Sequence, residues 1–305
     1  MRSKMSTAAR PVDVPSRPTP GSNVPVWNIL SVLASAIMAV ALAVGLVAWP
    51  GVTPASAIEK GFDFELEGEN TRDIIQVQSN RETVCTGNVM GPDLILTAAH
   101  CWLLGTSMTI LSGSQIRGQG TRHGVSKIGE RGDLLLLRVE TDAPIDMAGG
   151  AYSEIAKNEP PAVGTYLNSY GFGRTCIDCP LSSRLQGTTT EVFDTKNSLR
   201  DARNGLAYGV NTLDGSRIWP GDSGGPSFYR AGNKRVLFGI ASRVEDDLIV
   251  GEPQPDWMSA TYDSPGCDLT NQLQCVHQWL IGNGVKEYVP ARVHDEFKRD
   301  IYVGT

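Results

Sequence analysis

Gly221-Asp222-Ser223-Gly224-Gly225-Pro226 encloses one serine between glycines. Glycine lets the chain turn where other residues are strained, so backbone N–H groups can point outward beside the serine hydroxyl. A hydroxyl beside such donors suits chemistry in which an oxygen acquires negative charge. Two upstream stretches supply matching partners. Leu96-Thr97-Ala98-Ala99-His100-Cys101 holds a histidine close to the backbone among small residues, with a cysteine beside it as a possible staple. Gly132-Asp133-Leu134-Leu135-Leu136-Leu137 places one carboxylate at the head of an apolar strand. An acid there must find a buried partner or carry a heavy desolvation cost. A glycine-rich turn, a core histidine and a strand-opening acid are each ordinary taken singly; Asp133 is the least distinctive of the three.

The rest of the chain suits an all-β protein. Of 305 residues, 41% are hydrophobic and 20% charged, enough apolar surface for a sizeable core and against disorder as the main state. The 33 Gly and 18 Pro are aperiodic, which excludes collagen-like and repeat folds. Short apolar or alternating runs recur between Gly, Asn, Asp and Ser: 74–78, 93–97, 108–112, 134–139, 189–193, 206–210 and 236–241. Such spacing implies a barrel or sandwich. Gln272–Ile281 alone reads as a helix, and the Pro-rich segment 143–164 is the expected crossover between halves. His123, His277 and His294 have no partner motif and are expected at the surface.

Residues 1–27 carry four bases against one acid, and Ile29–Trp49 is an uncharged apolar run about as long as a bilayer span. Ala55-Ser56-Ala57 is a small-x-small site of the kind signal peptidase reads. Residues 1–57 are therefore expected to be a signal peptide or signal anchor. The body is then either secreted or membrane-anchored with an extracytoplasmic domain, and membrane contact follows only if the segment is not cleaved. Beyond residue 57 there remain 23 basic and 32 acidic residues, net −9, with all six cysteines. That charge opposes nucleic-acid binding, and the cysteines suit an oxidising compartment.

Together the three motifs, in the order His…Asp…Ser, resemble the chymotrypsin/trypsin family of serine endopeptidases, over most of 58–281. The resemblance implies two packed six-stranded antiparallel β-barrels with a short C-terminal helix. The peptidase domain would span 58–285, with barrels at about 58–145 and 160–285 and an extension at 286–305. It implies Ser223 as nucleophile, His100 as general base then acid, Asp133 orienting the imidazole, and the N–H groups of Gly221 and Ser223 as the oxyanion hole. Protein or peptide substrates, a monomer, and no cofactor or metal are expected. The alternative is a catalytically silent homologue acting as a binding module.

Further stretches resemble the same family. Cys85 and Cys101 match the disulfide that pins the histidine turn. Tyr170-Gly171-Phe172-Gly173 looks like the strand opening the second barrel. Gly239-Ile240-Ala241-Ser242 looks like the substrate-pairing strand, which makes Ser242 a partner of the buried carboxylate. With Cys85–Cys101 assigned, Cys267–Cys275 is the natural local pair. Cys176 and Cys179 are expected to close a small loop, against redox or zinc roles for which context is missing.

Departures bear on specificity. Trp219 stands where the family usually has a cysteine bracing the pocket, and Arg243-Val244 where it has Trp-Gly. Arg217 stands where trypsin-like members carry an aspartate at the pocket base. There it would repel basic side chains and pair with Asp or Glu; alternatively the unbraced loop turns it into water. In the family a freed N-terminal ammonium pairs with the aspartate before the nucleophile. Cleavage after Ala57 would leave Ile58 to pair with Asp222, and signal removal would itself activate the enzyme. The alternative is that Ile58 is only the remnant of cleavage.

Overall fold

The computed structural model describes residues 58, 71–102, 107–140, 144–145, 147, 152–176, 178–213, 215–232, 234–244, 255–267 and 275–289. The chain divides near residue 53 into two units, and all described residues belong to the second. The apolar run 29–49, the Ala57 site, His294 and the end of the C-terminal extension lie outside the described residues. Among the described residues no helix is long and apolar enough to cross a membrane.

Strands β1 (Ile74–Ser79), β2 (Glu82–Val89), β3 (Leu94–Ala98), β4 (Met108–Ser112), β5 (Thr121–Arg131) and β6 (Leu134–Val139) form a closed antiparallel barrel in the order β1-β2-β3-β6-β5-β4. β1 and β3 are buried throughout, and β6 at every position but Arg138. A strand covered on both faces has no polar face to alternate with, hence the unbroken Leu134–Leu137. β5 is mostly half-buried and reads TRHGVSKIGER, so it carries too little apolar patterning to be visible in the sequence. β1 and β2 are joined by Asn80-Arg81 with φ of 49° and 73°, the two left-handed residues of a two-residue hairpin.

The second barrel comprises β8 (Tyr166–Gly171), β9 (Gln186–Asp194), β10 (Ala207–Thr212), β11 (Pro226–Ala231), β12 (Lys234–Val244) and β13 (Pro255–Ala260). They run in the order β11-β8-β9-β10-β13-β12, and the β11–β12 hairpin closes the ring. Within the connection between barrels, β7 (Glu154–Ile155) adds in parallel to β12. One apolar cluster joins Ile95, Leu135 and Leu137 to Phe172, Phe228 and Ile240, so the barrels share a core. Burying each such side chain contributes ~1.5–3 kcal/mol, which fixes the barrels against each other.

The helix α1 covers Val276–Gly282, starting later than expected; its N-cap is Cys275, which the Cys267 disulfide ties down. The expectation for His277 is corrected. It is 5% exposed, on the helix face shared with Val276 and Leu280, with Nε2 3.2 Å from the Ala156 carbonyl and 3.0 Å from Glu287. His123 is half-buried rather than fully at the surface, 2.9 Å from the Ser112 hydroxyl, and burial lowers its pKa. All three expected disulfides are formed: Cys85–Cys101, Cys176–Cys179 and Cys267–Cys275.

Candidate active site

His100 sits in the single 3-10 turn Ala99–Cys101 that ends β3, and Cys101 ties this turn to Cys85 on β2. Asp133 is the second residue of the two-residue Gly132-Asp133 link between β5 and β6. Gly132 has φ +54°, and a Cβ there would lie 2.6 Å from the Gly205 Cα, so only glycine fits. The turn delivers a wholly buried carboxylate to the histidine. Asp133 Oδ1 accepts the His100 backbone N–H at 2.9 Å, and Oδ2 lies 2.8 Å from His100 Nδ1. The Ser242 hydroxyl donates to Oδ2 at 2.6 Å. Since a carboxylate accepts here, Nδ1 carries the proton and Nε2 is left as acceptor. The His100 side chain is 34% exposed, so the ring keeps one edge in the open.

The serine turn is tied to β2 of the other barrel. Thr86 N–H donates to the Ser223 carbonyl at 2.9 Å, Thr86 Oγ1 to the Gly221 carbonyl at 3.0 Å, and Asn88 Nδ2 to the Gly224 carbonyl at 3.0 Å. With these carbonyls held inward and Gly221 at φ +103°, the N–H groups of Gly221 and Ser223 make no hydrogen bond among the described residues. His100 and Ser223 line one cleft of about 310 Å³, but no hydrogen bond joins them. Such bonds are often long before substrate binds. Cys85, His100 and Cys101 lie close together, but both sulfurs are joined in the disulfide and offer no thiolate to a metal.

Arg217 does not line the cleft. Its guanidinium stacks 4.6 Å from the Trp219 ring. The acid lining the cleft is Asp256 on β13, 1% exposed, with neither oxygen hydrogen-bonded by another side chain. Burial pushes the Asp256 carboxyl well above the usual carboxylate range; the charge of Arg217 pulls it back and that of Asp222 pushes it further up. Ile218, Trp219, Pro220, Ala241, Trp257 and Met258 supply the apolar wall. Arg243 also lines the cleft, stacked 5.3 Å from the Trp257 ring. Asp256 escaped the sequence reading, although an acid within an apolar strand is the same signal that marked Asp133.

Asp222 is buried and accepts N–H groups from Gly173 at 2.8 Å and Trp219 at 2.9 Å. Burial outweighs these bonds and pushes its carboxyl up to about 8. Ile58 is wholly buried, and no hydrogen bond joins it to Asp222.

The family model described as Trypsin matches residues 67–253. Mast cell protease 2 of Meriones unguiculatus is 25% identical over 187 residues, 56% of this chain and 73% of that protein. Serine protease 1 of Drosophila melanogaster is 27% identical over 179 residues, 52% of this chain and 64% of that protein. Among solved structures, neuropsin, a serine protease expressed in the limbic system of mouse brain, is 19% identical with a TM-score of 0.50, over 63% of this chain and 90% of that one. A mutant of human heparin binding protein is 16% identical with a TM-score of 0.53, over 72% and 95% of the two chains. These two likenesses concern the fold, and they agree with the paired barrels. The chain belongs to the trypsin family.

Proposed function

We propose that this protein is a serine endopeptidase that hydrolyses peptide bonds through an acyl-enzyme. The observation that carries the reading is the buried Asp133 bonded to His100 Nδ1 at 2.8 Å, in a cleft that Ser223 also lines. Ser223 Oγ attacks the scissile carbonyl carbon while His100 Nε2 takes the hydroxyl proton. The carbonyl oxygen, now negative, accepts the N–H groups of Gly221 and Ser223; one such donor contributes ~3 kcal/mol. As the C–N bond breaks, His100 returns its proton to the leaving amine. Water then repeats the sequence on the ester and frees Ser223. Asp133 holds the tautomer and stabilises the imidazolium.

Residues 1–57 direct export, with cleavage after Ala57. The new Ile58 ammonium pairs with Asp222, which has two N–H donors and no cationic partner among the described residues. That pairing orders Gly221 and Ser223 for catalysis. The cleft wall of Ile218, Trp219, Pro220, Ala241, Trp257 and Met258 suits an apolar side chain, and Arg217 lies outside it against the Trp219 ring. Trypsin's preference for basic residues does not carry over.

The direct test is peptide hydrolysis by Ser223→Ala. A small-to-small change on this turn keeps the fold, and turnover is expected to vanish. Turnover at the wild-type level in the folded variant would end the assignment and favour a binding module.

A further inference from the structure

Asp133 is held by more than its bond to His100. Residues 201–205, Asp-Ala-Arg-Asn-Gly, form a tight turn in which Asn204 N–H donates to the Asp201 carbonyl at 3.2 Å. Asp201 is 6% exposed, and both its oxygens are used. Oδ1 accepts N–H groups from Arg203 at 2.9 Å and Gly205 at 2.7 Å, which stiffens the turn from within. Oδ2 accepts the Asp133 backbone N–H at 2.9 Å and the Ser259 hydroxyl at 2.8 Å. Two glycines let the turns meet: a Cβ on Gly205 would lie 2.7 Å from the Gly132 Cα.

A second line runs from the same turn to the Asp133 side chain. Ala202 N–H donates to Ser242 Oγ at 3.0 Å, and that hydroxyl donates to Asp133 Oδ2 at 2.6 Å. With its lone pair engaged by Ala202, the Ser242 hydroxyl is oriented to give its proton to the carboxylate. Arg203 Nε also lies 3.8 Å from Oδ1. One turn therefore fixes both the backbone of Asp133 and the rotation of its carboxyl.

We propose that Asp201 is a positioning residue for the Asp133–His100 pair, acting with the Ala202 N–H to hold Asp133 where its carboxylate can align His100. This rests on the endopeptidase reading for its kinetic expression, but not for its structural one. Asp201, Ala202 and Asp133 do not line the cleft, so their loss should appear in kcat and not in KM.

Two variants test it. Asp201→Asn must turn an NH2 group toward one of the two donor pairs that the carboxylate now accepts. Ala202→Pro places proline at the second position of the turn, removes the N–H on Ser242 and sets the ring Cδ against that hydroxyl, so it displaces the Ser242–Asp133 bond. Both variants are assayed for kcat, KM and urea unfolding, and by proton NMR of the His100 Nδ1–H resonance. Asp201→Asn is expected to lower kcat by about tenfold to a hundredfold with KM within about twofold, and Ala202→Pro by a smaller factor. In both, the Nδ1–H resonance moves or broadens while the unfolding transition stays cooperative. Wild-type kcat and an unchanged resonance in folded Ala202→Pro would overturn the proposal, even if Asp201→Asn fails to fold. If wild-type protein hydrolyses nothing, the endopeptidase reading fails, and the resonance alone then decides the role of Asp201.

Discussion

A chain extended by one residue before Ile58 should lose stability as pH rises, and a chain beginning at Ile58 should lose much less. In the fold the Asp222 carboxyl is pushed from 3.8 up to about 8, chiefly by burial. The folded state thus holds this proton more tightly than the unfolded state. For such a group the fold is most stable below pH 4 and weakens progressively as pH climbs towards 8. At 1.36 kcal/mol per unit, the shift from 3.8 to about 8 corresponds to roughly 6 kcal/mol, comparable with the whole stability of many domains. In a chain that begins at Ile58, the ammonium pairs with the ionised carboxylate and removes that loss until the amine itself deprotonates, above the ~8 of a free α-amino group because the carboxylate favours its charged form. Burial also raises the carboxyls of Asp73 and Asp256. The Asp73 slope is common to both chains and cancels, while the Asp256 slope depends on the charge of Asp222 and is removed by placing Asp256→Asn in both chains. Urea unfolding at intervals from pH 4 to 8, both chains carrying Ser223→Ala to prevent autolysis, gives the difference directly. Parallel stability curves for the two chains would refute the pairing of Ile58 with Asp222.

Asp256→Ala removes the acid from the cleft wall and widens its apolar surface, so cleavage after large apolar side chains should rise in a peptide-library profile. An unchanged profile would mean that this wall does not meet the substrate. Replacing Cys85 and Cys101 together by serine removes a crosslink spanning 16 positions of sequence, which should lower stability by about 3 kcal/mol in urea unfolding and weaken activity as the His100 turn loosens. Full activity with unaltered stability would show that the turn holds itself.

The three motifs around His100, Asp133 and Ser223 were legible because each is contiguous in the chain and its residue types are rare in that combination. β1, β4 and β6 were legible as clustered or alternating apolar residues, unbroken only in Leu134–Leu137 of β6. β5 was hidden by its solvated side, and the β1–β2 hairpin by Arg81, which occupies a position where glycine would have announced the turn. His277 carried a usable signal, one turn from Leu280 on an apolar stripe, that the lack of a partner motif obscured. Asp201 is different in kind. Its sequence, Asp-Ala-Arg-Asn-Gly, announces a turn, but its bond to Asp133 spans 68 positions and no local pattern encodes it.

Activation of Ser223 by His100 is read by mass-spectrometric mapping of a fluorophosphonate adduct on folded protein that begins at Ile58. A single adduct is expected, on Ser223, absent from Ser223→Ala and formed far more slowly in His100→Ala. A folded protein that forms no adduct on Ser223, or forms it equally fast without His100, would contradict that activation.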